Sequence, residues 1–276
     1  MKLCKTLKPV FISLLLAGFP PLALADHHEG QMSLEQLTTA SHRSEANIVR
    51  NEFRHPVETL QFFGLEPDTT IIEILPSRGW YTEIIAPYVR DHGKYYAAHF
   101  SPNASASYMP SNLRNFEAKI TAEPELYGKI TVRHLNPPHE VAIAPPGSAD
   151  MALTFRNVHN WIMAGQENEF FATFYTALKP GGILGVVEHR AKPGAGMEVM
   201  RTSGYVTEAY VIELATAAGF ELLEKSEINA NANDSTVHPA GVWTLPPEYR
   251  LKDTDRAKYS AIGESDRMTL KFVKPL

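Results

Sequence analysis

The stretch IIEILPSRGWYTEIIAPYV, from Ile71 to Val89, decides the fold. It has the pattern of a buried apolar strand, a tight turn and an amphipathic helix in direct succession. Such turns carry glycines where a cofactor lies against the backbone, because glycine adopts positive φ and allows close approach. This turn contains a single glycine, Gly79, so the sequence raises the question of whether a cofactor still binds here.

Strand and helix patterns alternate along the rest of the chain. Strands are predicted at 70–75, 94–98, 129–134, 150–155, 181–188, 219–228 and 267–273, and helices at 80–90, 108–119, 165–178 and 206–218. One amphipathic helix over 33–51 and a short helix from Pro56 come before them. The alternation predicts an α/β fold, with a mostly parallel sheet and helices on both faces.

The first 25 residues differ from the rest. Lys2, Lys5 and Lys8 precede a short apolar run, and Ala23-Leu24-Ala25 supplies small residues for a peptidase. This order predicts a cleaved signal peptide, 1–25, and a periplasmic or secreted product. The rest, 26–276, is predicted to be a single domain with an N-terminal helical segment, 26–66, and a long loop, 229–262, between the last two strands.

Composition excludes several classes of function. The only cysteine, Cys4, lies in the signal, so the product has neither a disulfide nor a thiolate metal site. The signal carries three lysines and no acids, so removing it changes the formal net charge from −5 to −5 − 3 = −8. The chain has no basic tract, which argues against nucleic acid as a partner. It also has no second apolar span, so no stable membrane anchor is predicted.

Polar residues follow several of the predicted strands. Ligands of open α/β sheets bind beyond the carboxyl ends of the strands, so these residues are expected in one crevice. The relevant segments are PSRGWY after the first strand, His99 at the end of the second, FRNVHNW after the fourth and EHR at the end of the fifth. A crevice containing Arg156, His159, His189 and Trp80, with Gly79 at its floor, is predicted.

With these segments in view, the chain resembles the class I S-adenosylmethionine-dependent methyltransferases over nearly all of its length after the signal. IIEILPSRGW resembles their first motif, GKYYAAHFSPN their second strand, and ALKPGGILGVVEH their helix, turn and fifth strand. More narrowly, GWYTEIIAPYV, FRNVHNW, GVVEHR, SGYVTEAYVIELATAAGF and SDRMTLKFVKP resemble a group of exported predicted methyltransferases. The resemblance implies a Rossmann-like sheet of seven strands, the last antiparallel, with strands one, four and five side by side.

The resemblance also implies a methyl transfer from S-adenosylmethionine to a small molecule. Arg156 would orient an acidic substrate, and His159 or His189 would act as the base. The residues implied to bind the cofactor come from the first motif and its turn, the end of the second strand and the segment after the fourth: Glu73, Pro76, Ser77, Gly79, Trp80, Tyr81, His99 and Asn157.

Two departures from the family pattern leave a second function open. Leu75 and Ser77 replace glycines, and His99 replaces the acidic residue that accepts two hydrogen bonds from the ribose. A neutral imidazole accepts only one. In addition, the cofactor is made in the cytosol, where an exported protein does not remain. The alternative is therefore an exported, diverged methyltransferase-fold protein that no longer uses S-adenosylmethionine. Whether the protein is an enzyme stays open.

The charges at the predicted crevice favour an anionic ligand for this alternative. Arg78, Arg156 and Arg190 gather there with His159 and His189, and guanidinium groups pair with carboxylate, phosphate or sulfate. The sequence therefore predicts a small and possibly anionic molecule as the partner.

A metal site is the remaining alternative. Histidines 99, 159 and 189 could hold zinc together, and an amino terminus reading Asp26-His27-His28 could chelate copper or nickel. However, the chain has no H-x-x-x-H pair, and its carboxylates are not spaced as ligands. No metal is predicted from the sequence.

Overall fold

The structure is a computed structural model that describes Met1 and residues 32–276. The predicted signal peptide, apart from Met1, and the first residues after it lie outside the described part. Within the described part, no helix has the length and apolar character needed to span a membrane.

Seven strands form one sheet. They are β1 Thr70–Ile74, β2 Lys94–Phe100, β3 Thr131–Leu135, β4 Ala149–Phe155, β5 Leu178–His189, β6 Glu221–Ser226 and β7 Arg267–Val273. Their order across the sheet is β3-β2-β1-β4-β5-β7-β6, with β1 to β5 parallel and β7 antiparallel to both of its neighbours. The predicted fold class is confirmed, and β1, β4 and β5 are adjacent. Because β7 is reversed, its first residue lies at the edge where β4 and β5 end.

Helices cover both faces of this sheet. They are α1 Leu34–Thr38, α2 Glu45–Ile48, α3 Asn51–Arg54, α4 Pro56–Phe63, α5 Thr82–Val89, α6 Tyr108–Ala122, α7 Pro124–Tyr127, α8 Val158–Ala164, α9 Glu167–Ala177, α10 Met197–Ser203, α11 Glu208–Ala217 and α12 Arg256–Ile262. A 3-10 helix spans Gly241–Thr244. It lies with α12 between β6 and β7, so the segment predicted as a long loop contains regular structure.

The alternating side chains of β1 supply both cores. Ile72 and Ile74 pack on the face covered by α8, α9 and α11, and Ile71 packs on the face covered by α1, α4 and α5. Gly185 in β5 allows the second layer to lie close, because a Cβ there would meet the ring of Phe63 at 2.8 Å and Leu153 at 2.4 Å. The helices before β1 are therefore pressed directly onto the sheet.

The prediction of one helix over 33–51 is wrong, since two short helices, α1 and α2, occupy this stretch. The guanidinium of Arg43, which is 4% exposed, lies between them. It donates to the backbone oxygen of Thr38 at 2.5 Å and to the carboxylate of Glu83 at 3.2 Å. The end of α1 is thereby capped by a side chain from the following turn, and the chain changes direction.

Candidate functional site

The turn after β1 has left-handed backbone at three positions, and only one of them is a glycine. Leu75, Ser77 and Gly79 have φ values of 47°, 54° and 79°. Left-handed backbone is unfavourable for residues with a Cβ, and the cost is about 1 kcal/mol or more for each. The shape of the turn is therefore retained while two side chains are added to it.

His99, at the end of β2, holds this turn in place. Its Nδ1 accepts a hydrogen bond from the backbone N–H of Phe100 at 2.8 Å, so the proton is on Nε2, which donates to the backbone oxygen of Ser77 at 2.9 Å. Burial lowers the pKa of His99 to about 4, although the bond to Ser77 acts in the opposite direction. A neutral His99 therefore uses both ring nitrogens inside the protein.

Glu73 points into the core beneath α5. It is 2% exposed, and its carboxyl accepts hydrogen bonds from the hydroxyls of Tyr95 and Thr82, the latter at 2.8 Å. Burial raises the pKa of Glu73 to about 7, although these two hydrogen bonds lower it. The structure thus gives Glu73 partners within the strand-helix unit itself.

The end of the sheet at β1 and β2 does not fit S-adenosylmethionine. His99 has no ring nitrogen left for a ribose hydroxyl. The space above Gly79 contains the ring of Phe116, which a Cβ on Gly79 would meet at 3.3 Å, and the ring of His99 packs on Phe116 with a centroid distance of 4.9 Å. Asn157 donates from Nδ2 to the backbone oxygen of Ile74 at 3.0 Å and so ties β4 to β1. S-adenosylmethionine does not fit at the ends of β1 and β2 because the polar groups of His99 and Asn157 already bond to the protein backbone.

The aromatic residues of the turn pack against the N-terminal helices. Trp80 lies between two guanidinium groups, those of Arg43 at 4.7 Å and Arg54 at 4.5 Å from its ring centroid. Tyr81 stacks on Phe155 at 3.6 Å. Both are buried, and Pro76 is buried beside them in the turn. Cation–π contact between arginine and tryptophan stabilises this junction.

A second cluster lies at the ends of β4 and β5 and the start of β7. It consists of four arginines around Glu264, and we call it the arginine cluster. Oε1 of Glu264 is 2.6 Å from Arg50 Nε, and Oε2 is 3.1 Å from Arg54 Nε and 3.6 Å from Arg156. Arg267 also donates to Oε2. Burial alone would raise the pKa of Glu264, but the surrounding arginines hold it well below its ordinary range. Four guanidinium groups thus face a single carboxylate.

The arginine cluster opens into a small cavity of about 10 Å³, which is room for one water-sized group. Its walls are Arg54, Tyr81, Phe155, Arg156, Val187, Asn229 and Arg267. Three buried polar atoms on these walls, Arg54 Nη1, Arg267 Nε and Asn229 Oδ1, find no hydrogen-bond partner among residues 32–276. Such groups are normally satisfied by protein, water or ligand. Their arrangement offers at least two free donors to an anionic group.

Arg156 presents its side chain from a strained backbone. Its φ is 61°, and its N–H bonds the backbone oxygen of Val187 at 2.7 Å across β4 and β5. Burial, and then the charge of Arg267, lower its pKa to about 10. Burial and Arg156 likewise lower the pKa of Arg54. Because a guanidinium remains charged at neutral pH, these shifts express first the cost of burying the charges and then that of holding like charges together. An anion among them would reduce that cost.

His159 and Glu188 form a buried pair beside the arginine cluster. Glu188 Oε1 accepts from His159 Nδ1 at 2.9 Å and from the backbone N–H of His189 at 2.7 Å, and Oε2 accepts from the backbone N–H of His159 at 3.3 Å. When Nδ1 of His159 donates to this carboxylate, Nε2 is left as an acceptor. This is the arrangement that orients a general base.

His189 connects the pair to the arginine cluster. Its ring centroid is 5.1 Å from that of His159, and its Nδ1 lies 2.5 Å from the hydroxyl of Ser265. It pairs directly with Arg267 between β5 and β7. Burial, then His159 and the neighbouring arginines, lowers the pKa of His189 well below its ordinary value. His189 is therefore neutral at physiological pH.

The predicted crevice is assembled only in part. Arg156, His159 and His189 come together, whereas Gly79 faces Phe116, and Tyr81 rather than Trp80 lines the cavity. Two arginines expected at the rim lie elsewhere. Arg78 is exposed, and Arg190 is bound by Asp266, Glu208 and Glu227.

The sequence did not predict Arg54, Arg267 or Glu264 as members of the site, and it placed Glu188 there only within the segment EHR, without a role. One signal was available for two of them. The resemblance implies an antiparallel last strand, so its first residues, in the segment ESDR, belong at the same edge as the ends of the parallel strands. Arg54 comes from a helix far away in the sequence and had no such signal.

Neither a protein-family model nor a curated protein sequence matches this chain. Solved structures do match in fold. An S-adenosylmethionine-dependent methyltransferase from Aquifex aeolicus is 14% identical and covers 88% of this chain and 100% of its own, with a TM-score of 0.54. The geranyl diphosphate C-methyltransferase from Streptomyces coelicolor A3(2) is 11% identical and covers 86% and 87%, with a TM-score of 0.53. The [4+2]-cyclase SpnF is 18% identical and covers 81% and 80%, with a TM-score of 0.52.

These similarities define the class. The chain has the fold of the class I S-adenosylmethionine-dependent methyltransferases. At such identities the likeness establishes the fold alone, and a fold hosts many activities.

Proposed function

We propose that this protein is an exported, diverged methyltransferase-fold protein that binds a small anionic ligand where β4, β5 and β7 meet, without using S-adenosylmethionine. One observation carries the proposal. Arg54 Nη1 and Arg267 Nε are buried and without a partner in the described chain, and both residues line the same cavity as Arg156.

The chemistry of the ligand follows from these donors. Guanidinium groups form short, charge-assisted hydrogen bonds with carboxylate, phosphate and sulfate oxygens. The cavity admits one water-sized group, so an oxygen of the anion enters while the rest of the ligand stays outside. Four arginines against one glutamate make the attraction local, since the whole chain is negatively charged.

The neighbouring imidazole supports a chemical role. His159, oriented by Glu188, has Nε2 as a proton acceptor, and its ring lies 5.1 Å from that of His189, which pairs with Arg267. A ligand held by the arginines could lose a proton to this atom. Binding is the proposed function, and proton transfer at His159 is the reaction type that the site could support.

Methyl transfer from S-adenosylmethionine to a small molecule is the second candidate. The fold of the similar structures and the left-handed turn at Leu75, Ser77 and Gly79 favour it. The engagement of His99 and the position of Phe116 oppose it. Titration of the purified protein with S-adenosylmethionine and S-adenosylhomocysteine by calorimetry separates the two candidates. Saturable one-to-one binding would favour methyl transfer, and its absence would favour the anion-binding protein.

A thermal-shift panel tests the anion site directly. Sulfate, phosphate and citrate, compared with chloride at equal ionic strength, are expected to raise the melting temperature by several degrees. Arg156→Gln should lose at least half of this shift. Arg78→Gln is the matched control, because Arg78 is exposed, and it should respond as the wild type does. Better stabilisation by neutral or cationic compounds would contradict the proposal.

The proposed location is the periplasm or the medium. The motivation is the basic, apolar and small-residue order of the predicted signal peptide, 1–25. Intact-mass measurement of the exported protein should give a chain that begins at Asp26. A mature protein that begins at Met1 would contradict it.

A further inference from the structure

His159, Glu188 and His189 bring three potential metal ligands together. One donor atom from each lies within 4.8 Å of the other two. We propose that these residues bind a divalent transition-metal ion. The proposal goes beyond the anion site and does not depend on it, since the arginines bind the anion, although a bound ion would take the place of the proton through which Glu188 orients His159.

The distances suit a shared ion. Ligand atoms of zinc and similar ions lie about 2.0–2.2 Å from the metal. Two donors at a right angle are then about 3 Å apart, and two opposite donors about 4.2 Å. His159 Nδ1 and Glu188 Oε1 are 2.9 Å apart, the separation of two neighbouring ligands, so an ion beside them can replace the proton that they share. The third donor lies within 4.8 Å of the other two, so a shift of about 1 Å or less brings it within reach of the same ion.

Structure, not spacing, selects these ligands. The sequence offered histidines 99, 159 and 189 as a set, but both nitrogens of His99 are bound at the turn after β1. Glu188 takes the third place, because it directly precedes His189 and its side chain turns back towards the start of α8. Two imidazoles and one carboxylate result.

Further partners orient the ligands, as is usual around metal sites. Ser265 engages Nδ1 of His189 at 2.5 Å, which leaves Nε2 for the ion. The backbone N–H groups of His159 and His189 hold the carboxylate of Glu188. Imidazole and carboxylate donors suit zinc, iron, cobalt and nickel better than calcium or magnesium, and two histidines with one carboxylate leave positions open for a ligand.

The charge of the arginine cluster affects how strongly a metal ion binds. Its positive charge opposes a bare dication, whereas an anion bound to the arginines offsets this repulsion. Metal and anion are therefore expected to strengthen each other's binding. Neutralising Arg156 should likewise tighten metal binding, although it weakens anion binding.

Cobalt and zinc are the probes for the test. The purified chain that begins at Asp26 is treated with a chelator and dialysed. It is then titrated with Co²⁺ and followed by visible absorption, and with Zn²⁺ and followed by calorimetry. One equivalent should bind, and the Co²⁺ complex should show absorption bands of a site with nitrogen and oxygen ligands. His189→Ala and Glu188→Gln should weaken binding at least 100-fold while circular dichroism stays unchanged.

Two controls make the assignment specific. His134→Ala removes a histidine of β3 and should bind as the wild type does. A His27→Ala, His28→Ala double variant removes the amino-terminal chelating pattern and should also bind as the wild type does. Lack of binding to the wild-type protein would overturn the proposal, as would binding that persists in folded His189→Ala or is lost in the double variant. None of these outcomes depends on the anion panel, and Arg156→Gln should tighten Zn²⁺ binding severalfold.

Discussion

His99 donates a hydrogen bond from Nε2 to the backbone oxygen of Ser77 at 2.9 Å, across the turn where a cofactor would lie in a methyltransferase fold. Its other nitrogen is occupied by the N–H of Phe100. The residue that departs from the family pattern at the ribose position thus stabilises the residue that departs from it at a glycine position. The two departures are one structural feature.

Replacing His99 by alanine is expected to lower the free energy of unfolding by about 2–4 kcal/mol. The variant loses two buried hydrogen bonds and the packing of the ring on Phe116. His134→Ala is the matched control, because His134 pairs with His99 on the neighbouring strand and its side chain is 39% exposed. It should cost less than about 0.5 kcal/mol. Urea unfolding measures both, and equal costs would show that His99 does not hold the turn.

The same residue predicts loss of stability in acid. The pKa of His99 falls from 6.5 to about 4 on folding, so the folded state keeps it neutral. The stabilisation is present above pH 6.5 and is lost as the pH falls through 4, by about 3 kcal/mol in total. His99→Gln cannot gain this proton. Its unfolding free energy, measured by urea between pH 7 and pH 4, should fall less than that of the wild type.

For Glu73 we predict the opposite dependence of stability on pH. Its pKa rises from 4.5 to about 7 on folding, so its contribution is complete below pH 4.5 and is lost as the pH rises through 7. The loss amounts to about 3 kcal/mol. Glu73→Gln keeps an acceptor for Tyr95 and Thr82 but has no charge. The variant should gain stability relative to the wild type between pH 5 and pH 8 in the same urea assay, and parallel curves would refute this.

The turn after β1 predicts a contrast between two substitutions. Ser77→Gly should cost less than about 0.5 kcal/mol, because relief of the left-handed backbone offsets the added freedom of glycine in the unfolded chain. Gly79→Ala should cost about 1–3 kcal/mol, since a Cβ would meet Thr82 at 3.2 Å and Phe116 at 3.3 Å. Thermal unfolding compares them. The reverse order would mean that the turn differs from the one described.

Glu264→Gln should be among the most damaging single changes, with a loss of about 3–5 kcal/mol, because it leaves buried guanidinium groups without their carboxylate. Sulfate at about 50–100 mM should restore part of the loss, since it supplies a counter-charge. Sodium chloride at matched ionic strength is the control for general screening. Equal rescue by both salts would argue against a specific anion site.

The order of strands and helices was determined largely by the sequence, because hydrophobic periodicity is a local property. The alternation after Thr70 predicted the seven strands. The polar segments at their ends predicted a crevice with Arg156, His159 and His189, of which Arg156 lines the cavity. The prediction of one helix over 33–51 was wrong, because the helical periodicity there gives no sign that Arg43 is buried. A guanidinium that caps the preceding helix cannot be inferred from the spacing of apolar residues.

Only the tertiary structure decided what the strand ends contain. Arg54 and Glu264 are 210 residues apart in sequence, yet their side chains are 3.1 Å apart, because α3 packs over the sheet edge where β7 begins. His189 meets Arg267 because of the antiparallel register of β5 and β7. The sequence determined which residues could carry chemistry and which strands would present them. The folded chain decided that the polar groups at the ends of β1 and β2 bond to one another, and that the ends of β4 and β5 and the start of β7 hold the arginine cluster. Register and helix docking are the reason, because they bring distant residues together.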